Sequence, residues 1–329
     1  MRSERSEART PPGVDPQVEF DFGAVFTPIR TTVLRSVDDE RLGVSDLLAS
    51  AAGQIWVVDV MSASLKVYSQ DGWPLRTLGR FATGLRRPGS LTALHGRWIA
   101  ALDGHVPAVV IMDESGQVVR RFPLPELERP LQICNLGDRW LAVVGRGWGS
   151  GSGKLVHLYT PDGEHVESLF GEPHDPAAAG RPFVAAAGRA IYLAHSHTDS
   201  FAIYDVEACA VLAFPRLSVG LGRRVDEATG FTGKLRGLFA TACGSLLALY
   251  KPEVDDQDFL YDLYDLSGAP IAAGLRTPER VVGVEGPLYY SVRASRNGDT
   301  RLRVWKLRFQ PNGTDSAAVP RDGEPICES

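Results

Sequence analysis

The sequence predicts an all-β fold, a six-bladed β-propeller of four-stranded antiparallel blades closed into a ring by an N-terminal strand, and three observations predict it. A glycine, a short apolar run, a polar interruption and a second apolar run recur six times, the second run often ending in Asp-Gly. The apolar runs are short, rich in Val, Ile, Leu, Trp and Tyr, and bounded by Gly, Pro, Asp and Ser, which marks strands rather than the helices of a solenoid with similar period. After the last repeat the chain turns polar without a fourth strand, whereas an apolar, β-branched segment stands ahead of the first repeat.

Residues 1–17, charged and containing Pro11-Pro12-Gly13, read as a disordered arm. The next segment, within Val18 to Val37 (Val18-Glu-Phe-Asp-Phe22, then Thr31-Thr-Val-Leu34), is expected to complete the sixth blade and so remove an exposed edge. The clearest repeats are Gly53-Gln-Ile-Trp-Val-Val-Asp59 with Leu65 to Gly72, and Gly137-Asp-Arg-Trp-Leu-Ala-Val143 with Leu155 to Gly163. Weaker copies begin at Gly96, Gly188, Gly244 and Gly286, so the six glycines are separated by 43, 41, 51, 56 and 42 residues. Each unit needs an inner strand before its glycine: Asp46 to Ser50, Ser90 to Leu94, Leu131 to Leu136, Phe183 to Ala187, Leu238 to Ala242 and Val281 to Glu285. A short outer strand follows, as in Pro74 to Leu78 and His165 to Phe170. One such unit cannot bury both faces, and radial stacking of about 4 to 8 of them can. The propeller is therefore placed at residues 18–310, and the polar residues 311–329 read as a disordered tail.

Blade one carries the residues of a resemblance: Gly53-Gln-Ile-Trp-Val-Val-Asp59, Leu65-Lys-Val-Tyr68, Asp71-Gly72 and Leu78-Gly79. In these the chain resembles a divergent NHL-repeat-type six-bladed propeller. Where that family usually has Asn and Arg between the aspartate and the third strand, this chain has Ala63, Ser64 and Lys66. The resemblance implies the fold, and function has to be argued from a site.

A net charge of −5 and a pI near 5.8 argue against general nucleic-acid binding. The start of the chain lacks the apolar stretch of a signal peptide and no run reaches the roughly 18 residues of a membrane helix, so a cytoplasmic location without membrane insertion is expected. Cys134, Cys209, Cys243 and Cys327 form no Cys-x-x-Cys pair and are expected to be free.

The loops leading into the inner strands carry a repeated arginine: Arg87, Arg129, Arg181, Arg236 and Arg280. Together with Arg146 and Trp148 from the loop after a second strand, they are the candidate ligand-binding set. Guanidinium groups around a channel mouth suit carboxylate or phosphate, so the expected ligand is an anionic small molecule or a protein segment. The alternative role for each arginine is to cap its own blade, pairing with acids such as Glu128 and Glu279. His195 and His197, with Asp199 and possible help from His105, are the candidate set for a divalent metal. Gly145 to Gly153 lacks the Gly-Lys-Ser/Thr ending of a phosphate loop, since Leu155 follows Lys154. The expected function is non-enzymatic binding or scaffolding; the alternative is a hydrolase or lyase at the same mouth, with or without metal. No other cofactor is expected.

Overall fold

The computed structural model describes residues 21–35, 41–147, 153–171, 180–198, 200–215, 217, 234–241, 244–251, 258–294 and 299–308. The expected arm and tail, Trp148, Asp199 and most of the long connections before Arg181 and Lys234 lie outside them.

Six four-stranded antiparallel sheets form the blades. In blade one the strands are Val44–Ala49, Ile55–Asp59, Ser64–Tyr68 and Pro74–Leu78, running in sequence order from axis to rim. The inner strands of the other five are Pro88–Leu94, Leu127–Leu136, Pro182–Ala187, Lys234–Thr241 and Arg280–Glu285. Each contacts the inner strand of the next blade, and the sixth contacts the first, so the ring is closed. Blade six takes its outer strand, Phe26–Leu34, from the N-terminal side of the chain. That strand pairs antiparallel with Thr300–Leu307, from Phe26 opposite Leu307 to Leu34 opposite Thr300. A single helical turn, Phe22–Val25, precedes it, capped by Asp21, whose carboxylate accepts from the Gly23 amide at 3.1 Å.

The repeated glycines have two structural causes. Those that begin each copy turn the first hairpin of their blade, with φ between +52° and +97°, a region that residues with a Cβ rarely adopt. The glycines of Gly72 and Gly163 turn the hairpin into the outer strand and also press on the preceding blade. A Cβ there would lie 2.1 Å from the Val33 carbonyl oxygen or 2.5 Å from Phe122 Cγ.

The core is divided among the blade interfaces, one apolar cluster to each. Trp56, Leu65, Ile99 and Met112 fill the space between blades one and two. Phe22 and Phe26 stack at 4.2 Å and join Tyr261, Tyr289 and Trp305 between blades five and six. Cys134 and Cys209 are free thiols. Among the described residues no helix is long and apolar enough to cross a membrane.

Candidate functional site

The loops leading into the inner strands and those joining second to third strands converge on the channel mouth, where the sequence-predicted arginines stand. Arg87, Arg129, Arg146, Arg181 and Arg236 are exposed there. Buried prolines at 88, 130 and 182 fix the backbone immediately after three of them. Arg129 lies opposite Arg146 in the ladder of blade three, an unfavourable juxtaposition of like charges. Arg181, in blade four, sits 5.4 Å over the Phe183 ring. Its head is reachable by solvent, yet surrounding protein strips part of its hydration. That loss, and then the charges of Arg129 and Arg236, holds its pKa below the ordinary guanidinium range. Among the described residues no carboxylate forms an ion pair with Arg129, Arg146, Arg181 or Arg236.

Arg280 has a different task. It is half-buried, and its Nη2 donates to the Val44 carbonyl, which latches blade six to blade one. Glu279, the acid beside it in sequence, instead accepts from Ser291 Oγ at 2.6 Å and pairs with Arg303 at 3.1 Å. Arg236 occupies a bulge between Leu235 and Gly237, so it leaves the strand in a different register from Arg87, Arg129 and Arg280. The aspartates ending two second strands hold the loops themselves. Asp103 accepts from the amides of Arg86, Arg87 and His105, and Asp59 from those of Gly43 and Met61.

The extended His-x-His geometry does not form, because the strand Ala190–His195 ends at the first histidine and Ser196 and His197 lie in a turn. Ser196 knits that turn together, accepting from the Arg181 amide at 2.9 Å. His195 is half-buried, its pKa lowered by burial, and its Nε2 has no hydrogen-bond partner. His197 and His105 are exposed. Among the described residues no three His, Cys, Asp or Glu side chains group as a metal site.

The inner wall of the channel carries a second arrangement, which the sequence reading did not identify as one. Asp46, Ser90 and Gln132 occupy equivalent positions, each directly after the bulge of its inner strand. Each accepts from the backbone of the next blade: Asp46 from the Leu91 amide at 2.8 Å, Ser90 from Ile133 at 3.3 Å and Gln132 from Val184 at 3.2 Å. Blades one to four are thus laced by side chains.

The Asp46 side chain is half-buried and its carboxyl is surrounded by protein. Burial pushes its pKa from 3.8 up to about 6, against the lowering effect of its bonds to Leu91, Ser90 and Leu47 and of Arg280 nearby. A folded-state value above the unfolded one means a contribution present in full below about pH 4 and lost as pH rises through about 6. Asp46→Asn should therefore remove a decline in stability between those limits. Urea denaturation at several pH values, read as wild type minus variant, checks this.

No family model matches the chain, and neither does any curated protein. Among solved structures it is similar to a protein of Bacteroides fragilis described as exported, with a TM-score of 0.62 and 10% identity over 89% of this chain and 98% of that one. A DUF4221-family protein of Bacteroides vulgatus gives a TM-score of 0.62 and 7% identity over 86% and 98% of the two chains. Virginiamycin B lyase of Staphylococcus aureus gives 0.52 and 9% over 86% and 99%. At these identities the likeness establishes the fold alone. The cytoplasmic expectation is withdrawn: a solved structure of the same architecture is described as exported, and an apolar leader missing from the given sequence does not fix where the protein resides. By sequence the chain resembles NHL-type propellers in the repeat residues of blade one, and by structure it is a six-bladed β-propeller.

Proposed function

We propose that this propeller is a binding protein whose mouth holds an anionic group, on a small molecule or a protein segment, between Arg129, Arg146, Arg181 and Arg236. The observation that carries this reading is the crowding of Arg181 by two like charges, with no described carboxylate paired to any of the three. Clustering positive charge without a counter-ion costs stability, and an incoming carboxylate or phosphate removes that cost while gaining charge-assisted hydrogen bonds.

Citrate and pyrophosphate at low ionic strength are expected to raise the melting temperature, since a ligand at a hundredfold over its Kd adds roughly 2.7 kcal/mol. The triple variant Arg129→Ala/Arg181→Ala/Arg236→Ala should lose that response while melting no lower than wild type without ligand. An equal response in the variant, or none in wild type, rejects the reading.

The buried, unpartnered Nε2 of His195 favours a second reading, a mouth-sited hydrolase or lyase in which this imidazole is a base or a metal ligand. Stoichiometric transition metal in protein purified without chelators, lost in His195→Ala, would select it.

A further inference from the structure

On the face away from the mouth, a cavity of about 450 Å³ lies between blades six and one, bounded by their first hairpins and by the closing N-terminal strand. Its volume falls in the range of small-molecule sites, which combine apolar walls with a few placed polar groups. Ile29 and Leu288 supply accessible apolar wall over the buried Ile55 and Val304, and Arg30 and Glu285 bring opposite charges to the same space.

Those two charges do not neutralise each other. Arg30 Nη1 donates to Gln70 Oε1 at 3.1 Å, which leaves most of the guanidinium's donors unused. The half-buried Glu285 carboxyl receives a single long hydrogen bond, from Tyr290 OH at 3.5 Å. Burial pushes its pKa up to about 6, the signature of a carboxylate short of compensating charge. The phenol of Tyr290 is buried beside it, its own pKa raised by burial and by Glu285, with Arg30 close enough to oppose that rise.

We propose that this cleft binds a small zwitterion with an apolar body, of the aliphatic amino-acid class, its ammonium on Glu285, its carboxylate on Arg30 and its side chain against Ile29 and Leu288. Separated, unpaired charges of opposite sign complement a ligand that carries both. A molecule with one charge leaves the other group unsatisfied. The ligand touches the closing strand, blade six and blade one together, so it also clamps the ring where the two ends of the chain's fold meet.

The test is calorimetric titration of the intact protein with L-leucine, isopentylamine and 4-methylpentanoate, which share an apolar body and differ in charged groups. L-leucine should bind, and each singly charged analogue should bind at least about tenfold more weakly. Glu285→Gln should abolish the advantage of L-leucine over 4-methylpentanoate, and Arg30→Gln its advantage over isopentylamine. The triple arginine variant of the mouth should bind L-leucine as wild type does, which separates this site from the proposed anion site. Absence of L-leucine binding at about 10 mM, equal binding of either analogue, or unchanged binding in Glu285→Gln overturns the proposal. If Arg30→Gln does not fold, the wild-type analogue series and Glu285→Gln decide by themselves.

Discussion

A chain beginning at residue 35 is expected to lose cooperative folding. The segment removed contains the whole outer strand of blade six, so Thr300–Leu307 would become a bare edge with its ladder partners gone. It also contains Phe22, Val25, Phe26 and Leu34, all buried, the first three in the cluster between blades five and six. Burial of such side chains contributes roughly 1.5–3 kcal/mol each, so the loss rivals the roughly 5–15 kcal/mol by which a domain is stable. The expected observations are a broad or absent thermal transition by circular dichroism and association on gel filtration, driven by the exposed edge. Supplying residues 21–35 as a separate peptide should restore part of the transition, because main-chain pairing with an open edge needs no covalent link. A monomeric truncated chain with a sharp melt would show that closure by this strand is dispensable. Phe26→Ala provides the graded version, with an expected cost of about 3–5 kcal/mol from lost packing against Phe22 and Tyr289.

Most of this ring was legible because its punctuation is conformational. A glycine that must take positive φ announces itself in sequence, and Gly53, Gly96, Gly137, Gly188, Gly244 and Gly286 all do so at the same hairpin. The closing strand was legible by elimination, since the last repeat lacked an outer strand and Thr31 to Leu34 offered one. Its start was not. Val18 to Phe22 read as extended, whereas Phe22–Val25 forms a helical turn that drops both phenylalanines into one cluster, a choice made by tertiary packing.

The site was legible in residue type and not in register. Arg129, Arg181 and Arg236 look like one motif on the page, yet a bulge places Arg236 differently, and bulges have no spacing signal of their own. The same bulges conceal the kinship of Asp46, Ser90 and Gln132, which becomes visible once each inner strand is aligned on its partner strand. Glu279 appeared to be a partner for Arg280 because the two are adjacent. Glu279 lies in the bend just before the strand that Arg280 opens, and it pairs with Arg303 instead. The cavity between blades six and one joins Arg30 to Glu285 across most of the chain, a proximity that only ring closure creates.

The lacing position that carries Asp46, Ser90 and Gln132 in the first three blades is glycine in the last two, at Gly237 and Gly283, and these two glycines should respond unequally to alanine. A Cβ at Gly283 would lie 2.1 Å from the carbonyl oxygen of Leu47, in the inner strand of blade one. That oxygen cannot withdraw without moving a strand that Arg280 pins through Val44 and that Asp46 ties to blade two. A Cβ at Gly237 would meet the Phe239 ring, at 2.8 Å and 3.0 Å, and a partly buried ring can swing away. Overpacking costs typically about 1–3 kcal/mol, so Gly237→Ala should fall near the lower figure and Gly283→Ala at or beyond the upper. Urea denaturation of both variants measures the difference. Equal costs would mean that the contact between blades six and one yields as readily as a side chain does, and that the seam is not the tightest joint of the ring.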